Sequence, residues 1–314
     1  MHNPVMRRLI FLPLILVMAS VVIFLLPYLT GIDPTMAVIR ARVGERVLTE
    51  ESIARLRTEL SLDRSLPVQY LQWVGRLVRG DLGFSYVSRA PVGVIILRGL
   101  RVTALLSITS LLLAIALALP LGIWAAMRPG SQIDIFVTIT SQVGVAIPQY
   151  VLAPLLILIF AVWLRWLPSA GWRGPLFIIL PVLTLTLRPL AYFTQTTRAA
   201  MLEVLSADYI RTARAKGLTT GQIIRHHALP NALIPVVTLI ALWLAAWLGG
   251  SVIVEVIFAI PGLGRILYDA VLASDIPLIQ AGLIVIVTLA ILINTLTDLL
   301  YMFLNPAIRL GDVD

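Results

Sequence analysis

Charged and strongly polar side chains are scarce in this chain, so those that fall inside apolar stretches stand out. Arg188 lies between Leu187 and Pro189 within one apolar run, and Asn294 and Asp298 lie within another. A spacing of four puts Asn294 and Asp298 on one face of a helix. A charge inside a bilayer is costly and normally faces protein or water. Arg188 and Asp298 therefore either form a structural pair or line a polar pathway, with Gln149 as a further candidate for that lining. Gln149, like Gln142 and Gln195, equally suits a hydrogen bond between helices.

The remaining groupings exclude chemistry. His226 and His227 are adjacent, so they point apart on a helix, and no third ligand is spaced for a metal. Lys216 is followed by Gly217 rather than Ser or Thr, which rules out a phosphate-binding Gly-Lys-Ser/Thr loop. Any ATP hydrolysis must come from another chain. Gly262-Leu263-Gly264 lacks the third glycine and preceding strand of a dinucleotide site. No Gly-x-Ser-x-Gly, no His-Glu-x-x-His and no carboxylate pair beside a base occurs, so no enzyme, metal or cofactor is expected here.

The elements that must position these residues are membrane spans. The 314 residues are 59% hydrophobic and 13% charged, with mean hydropathy +0.97. That leaves too little polar surface for a soluble globule. The net charge of +8 comes without a nucleic-acid motif, so it reads as arginine retained at membrane surfaces. Cysteine is absent, which excludes disulfides and thiolate metal sites.

Apolar runs at Leu9–Leu29, Val102–Met127, Ile135–Trp163, Leu176–Thr197, Ala232–Val254 and Leu278–Leu304 give about six transmembrane helices. Arg7 and Arg8 before the first run place the amino terminus inside, and its length favours a retained helix over a cleaved signal peptide. Positive charge then concentrates at Arg198, Arg211, Arg214, Lys216 and Arg225, so both termini are expected in the cytoplasm. Arg165 and Arg173 run against that rule but are outnumbered. Between the first two spans, residues 31–101 form an ordered external segment. A helix is expected after Thr49 with Ile53, Leu56 and Leu60 on one side, and another from Pro67 to Gly80 carrying Leu71, Val74 and Val78. Pro120, Pro148, Pro154, Pro181 and Pro189 predict either kinks around a pathway or irregular packing.

The stretch EVLSADYIRTARAKGLTTGQIIRHHALPNALIP, Glu203 to Pro235, is a cationic interruption between apolar neighbours. Ser206 is suited to cap a helix with Asp208 in its first turn and Arg214 and Lys216 in its last, ended by Gly217. Thr219 or Thr220 is suited to cap a second helix through Ile223, Ile224 and His227.

The order Ala213, Gly217, Leu229-Pro230 resembles the cytoplasmic signature loop of binding-protein-dependent ABC importer permeases. The strings TARAKGL and NALIPVVT are similar to the dipeptide, oligopeptide and nickel branch of that family. GDLGFS at Gly80–Ser85 and EVIFAIPGLG at Glu255–Gly264 resemble its external segments, with Asp275-Ile276-Pro277 opening the last span.

The resemblance implies an all-α membrane protein with the type I ABC importer permease fold. Residues 1–30 would be the cytoplasmic amino terminus and first span, 31–101 the external segment, 102–304 a five-helix core with a coupling loop at 198–230, and 305–314 a cytoplasmic tail. It implies a multi-pass permease of a bacterial or archaeal inner membrane that imports di- or oligopeptides by alternating access. Its partners would be a second permease, two ABC ATPase subunits holding ATP and Mg, and an extracytoplasmic substrate-binding protein. In the coupling loop the resemblance singles out Asp208, Tyr209, Arg211, Ala213, Lys216, Gly217 and Leu218. Arg211 stands where the wider family often has a glutamate, so Asp208 would supply the negative charge and Tyr209 and Leu218 the apolar anchors. Glu255, Pro261 and Gly262 would lie at an external mouth. A nickel chelate or glutathione is the alternative cargo. An ion-coupled secondary transporter with Arg188 and Asp298 as a relay is an alternative of another class, and a membrane protein with no pathway is a third.

Overall fold

The structure is a computed structural model that describes residues 4–29, 31, 36, 58 and 63–304. The helix expected after Thr49 and the tail 305–314 lie outside these residues. Among the described residues the chain is helical, with one isolated β-bridge between Phe84 and Pro91. It divides into two compact units, Met1–Thr103 with Pro261–Leu292 and Ala104–Ile260 with Ile293–Asp314.

In the first unit, helix α1 (Pro4–Leu29) packs against α2 (Leu66–Val78). Pro67 opens α2 and Gly80, with φ +78°, follows its end, as the sequence predicts. Its buried side differs from the expected Leu71–Val74–Val78 face. Leu71 and Val78 are exposed, and Tyr70 and Trp73 pack on Phe24 with ring centroids 5.5 and 5.8 Å away. Offset and edge-on aromatic contacts win this face over aliphatic spacing. Tyr28 Oη donates to Gln69 Oε1 at 2.6 Å.

The next helix, α3 (Val92–Met127), begins ten residues before the expected Val102. Its first three turns pack Val92 and Ile96 against Leu263 and Ala270 of α11 (Leu263–Leu272) and against Leu278 and Ala281 of α12 (Ile276–Leu304). A Cβ on Gly99 would lie 3.0 Å from the Leu263 backbone, so only glycine admits this approach. Thr103 Oγ1 accepts from Leu263 N–H at 2.8 Å and so caps α11, whose N-cap Gly262 has no side chain to do it.

The second unit corrects one expected span. Ile135–Trp163 is not a single helix: α4 (Gln132–Ala146) and the helix Gln149–Trp163 meet at 101°. Pro148 has no N–H and drives the preceding residue out of the helical region; Ile147 accordingly has ψ 116°. Beyond the break, α5 (Gln149–Leu156) contains Pro154 and widens into a π-helix at Ile157–Trp163. Each arm is about 22 Å long, short of the ~30 Å hydrocarbon core.

Such a pair is either one broken span or a re-entrant loop, and one ion pair argues for the first. Arg198, near the end of α6 (Leu176–Ser206), holds Asp134 in the first turn of α4 through Nε and, at 2.7 Å, through an Nη. The start of α4 and the end of α6 therefore share one face of this unit. Since α6 is about 46 Å long, enough to span the core, this placement argues that the bent pair crosses in the opposite sense. Gly171 N–H donates to Phe258 O at 2.8 Å, joining the loop before α6 to the end of α10 (Val252–Ile257), which follows α9 (Leu229–Gly250), at the other face.

Candidate functional site

The loop between α6 and α9 is built by local chemistry. Ser206 does not cap the first helix: it is the last residue of α6, and its hydroxyl donates to Glu203 O at 2.7 Å. Ala207, extended, occupies the N-cap of α7 (Asp208–Ala215) without a side-chain bond. Gly217, at φ +83°, ends α7 in a Schellman closure, with Leu218 N–H on Ala213 O at 3.3 Å and Gly217 N–H on Arg214 O at 3.0 Å. Thr219 then forms a capping box with Gln222 for the short α8 (Thr220–Ile223). The chain continues as a π-helix over Ile224–Ala228 into α9, and Asn231 Nδ2 donates to His227 O at 2.7 Å.

The two helices share a small core of Ile210, Ala213 and Ile223 with Val204 and Leu218. Leu218 and Ala213 thus face inward and hold the loop together, while Tyr209, 46% exposed, is the apolar side chain presented outward. Asp208, Arg211, Arg214, Lys216, Arg225 and His226 are exposed around it. Arg211 and Asp208 form a solvent-exposed pair at 3.3 Å, so the negative charge that Asp208 was expected to supply is shared within α7. Such a pair contributes about 0.3–0.5 kcal/mol and leaves both groups available.

The Asp134–Arg198 pair behind this loop was not singled out from the sequence. Asp134 is almost fully buried, and its carboxylate also accepts Gly130 N–H at 2.9 Å, while its own N–H meets Ser131 Oγ. The available signal was Ser131-x-x-Asp134 at a span's start, a capping pattern.

Of the pathway candidates, Arg188 is exposed on α6 with no ion-pair partner among the described residues, and Gln149 is half-buried at the first position of α5. Asn294 is exposed on α12, and the side chain of Asp298 lies outside the described residues. No hydrogen bond joins Arg188 to Asn294 among the described residues. Glu255, expected at an external mouth, is fully buried, where Ser251 Oγ donates to Oε1 at 2.6 Å. Pro261 is exposed and Gly262 buried. In the first unit the GDLGFS turn and the Asp275 segment meet: the buried Asp275 carboxylate accepts from Ser85 Oγ and from Tyr86 N–H at 3.0 Å. Beside this turn a pocket of about 770 Å³ is lined by Trp73, Arg76, Arg79, Phe84, Tyr86 and Gln280 among others. It contains none of the site residues expected from sequence.

Comparison with known proteins identifies the architecture. A probable peptide ABC transporter permease of Sinorhizobium fredii is 37% identical over 313 residues, covering 97% of this chain and 98% of its own length. The glutathione transport system permease GsiC of Escherichia coli is 39% identical over 309 residues, covering 98% of this chain and 99% of its own. An inward-facing structure of the MetNI methionine ABC transporter aligns with TM-score 0.59 at 23% identity, over 68% of this chain and 98% of the other, and shows the same type I fold. Residues 118–310 match the model of binding-protein-dependent transport system inner membrane components, and residues 1–107 match the N-terminal model of those components. The chain belongs to this family and is a multi-pass permease of the ABC importer class.

Proposed function

We propose that this permease imports peptides and that ATPase subunits drive it through the 198–230 loop. The observation that carries the reading is the exposed cationic helix–glycine–helix, closed on its own core and continuous with α6. A preformed convex element of this kind fits a groove on a partner. Tyr209 is the apolar anchor, Arg211, Arg214 and Lys216 the charged rim, and Gly217 the stop that sets the angle between α7 and α8. The buried Asp134–Arg198 pair fastens the base of the loop to the bent span, so a push on α7 moves both as one body. ATP and Mg reside on the partner subunits, this chain performs no chemistry, and the loop faces the cytoplasm with both termini. A second permease and an extracytoplasmic binding protein complete the complex.

Peptide is supported by the Sinorhizobium fredii relative, and the Escherichia coli relative supports glutathione, itself a tripeptide, as a second cargo. The test is purification of the tagged chain from its native membranes, identification of co-purifying proteins, and assay of ATP hydrolysis and of dipeptide and glutathione uptake in proteoliposomes. The expected result is a second permease, Walker-motif subunits, and uptake that requires both ATP and a binding protein. A homo-oligomer that transports along an ion gradient without an ATPase would overturn the reading.

A further inference from the structure

We infer that Arg188 is the station at which the transmembrane pathway receives the carboxylate of the cargo, with Tyr192 and Trp243 forming an aromatic wall beside it and Trp247 backing that wall. The inference rests on the peptide-importer reading and gives that pathway a ligand chemistry. Arg188 is twelve residues from the start of α6 and eighteen from its end, about 18 and 27 Å along the axis. Snorkelling serves residues near helix ends, so it cannot bring this guanidinium to a membrane surface. The side chain is exposed and has no ion-pair partner among the described residues. A cation at that depth must therefore face water or a partner's charge rather than lipid.

Its own helix face is consistent with water. Tyr192 and Gln195 follow Arg188 at i+4 and i+7, which places the three on one stripe of a helix otherwise rich in Leu and Ile. Tyr192 packs on Trp243 of α9 with ring centroids 5.8 Å apart, and Trp243 on Trp247 at 5.5 Å, edge-on. The wall is thus buttressed from behind, Trp247 being only 3% exposed, while Tyr192 stays open at 37%.

The chemistry selects a carboxylate. Guanidinium presents paired donors that match the two oxygens of a carboxylate and keeps its charge in any surroundings. A peptide with a free carboxyl terminus always offers that group, whatever its side chains. Aromatic surfaces accept varied apolar side chains without demanding hydrogen bonds. One fixed cation with a tolerant wall is therefore suited to many peptides of unlike sequence.

The chain contains no cysteine, so single thiols can be placed in the assembled complex and read by labelling of this subunit. In the nucleotide-free complex, Gln195→Cys is expected to react with a water-soluble cationic methanethiosulfonate. A free dipeptide should slow that reaction several-fold, and the same dipeptide with an amidated carboxyl terminus should not. In an Arg188→Gln background the two should become equal. In proteoliposomes Arg188→Gln is expected to reduce dipeptide uptake on the order of tenfold or more, while Arg188→Lys keeps much of it. Co-purification of the ATPase subunits shows that each variant is assembled.

Equal protection by the acid and the amide, or wild-type uptake by Arg188→Gln, would overturn the inference. So would an Arg188→Cys thiol that no soluble reagent reaches in either the nucleotide-free or the ATP-trapped state, because Arg188 would then be sealed against the second permease. Failure of the wild-type complex to take up any peptide would instead sink the cargo reading. The labelling of Arg188→Cys would still report whether the position faces water.

Discussion

Asp134 and Arg198 show what one ion pair can decide in a membrane protein. Asp134 is buried, accepts both guanidinium donors and also holds Gly130 N–H, so its charge is fully compensated only while Arg198 is present. Removing one partner leaves a buried charge without its complement, a loss on the order of 3 kcal/mol. Arg198→Gln is therefore expected to lower the unfolding midpoint of the detergent-solubilised protein markedly. Arg198→Lys should recover only part of the loss, because an ammonium cannot reproduce the paired geometry. An Arg198→Gln protein as stable as the wild type would show that the pair is peripheral. Should that variant not fold at all, Asp134→Asn, which retains an acceptor for Gly130 N–H, gives a milder form of the same test. The exposed Arg211–Asp208 pair is the internal contrast: with both side chains in solvent, its removal should leave stability unchanged within about 0.5 kcal/mol.

At the scale of elements, glycines act for two separable reasons. Gly217, like Gly80, occupies the left-handed position of a Schellman closure, and a Cβ there would meet no atom within 4 Å. Its replacement therefore costs backbone strain alone, about 1–2 kcal/mol, and changes the angle between α7 and α8. Gly217→Val is expected to leave the complex assembled but to lower peptide transported per ATP hydrolysed; unchanged coupling would separate this turn from the drive. Gly122 has ordinary backbone angles, yet a Cβ there would lie 2.7 Å from Thr194 O and from Thr197 Cβ, so it permits the close crossing of α3 and α6. Gly122→Ala should destabilise by about 1–3 kcal/mol through overpacking, read as a lowered unfolding midpoint, and an unchanged midpoint would mean that the helices simply part. Features of the first kind were legible in sequence, because a cap, a stop and a signature string are local: Thr219, Gln222 and Gly217 all stand within six residues. Asp134–Arg198 and Ser85–Asp275 join residues 64 and 190 positions apart, and no local pattern names such partners. The sequence marks Pro148 as a site of a kink or of irregular packing, but the 101° bend that divides the span was not legible, for another reason. Hydropathy sums over Ile147-Pro148 as over any apolar pair, while the bend arises from one missing N–H and a steric clash.

For the whole molecule, the bent pair decides the parity of the topology. Were Gln132–Trp163 a re-entrant hairpin, everything after it would be inverted and the cationic 198–230 loop would lie outside, against the distribution of positive charge. The Asp134–Arg198 pair argues otherwise, since a helix long enough to span the core ends on the face where the pair begins. Because the native chain has no cysteine, the argument can be tested with single thiols at exposed positions. Thr220→Cys and Pro129→Cys should react with a membrane-impermeant maleimide only in inside-out vesicles, and Ser169→Cys only in right-side-out vesicles. The decisive comparison is between Pro129 and Ser169, because they flank the bent pair alone. Reaction of both in the same vesicles would show that the pair returns to its own side. Reaction of Thr220 on the side of Ser169 would in turn remove the loop from the reach of a cytoplasmic ATPase. The expected opposite labelling would instead fix the orientation of the loop and establish the bent pair as one span. A span broken near its middle at Pro148, fastened to α6 at Arg198 and continuous at its far arm with the loop bonded to Phe258, would tie the two faces of this unit together through its own backbone.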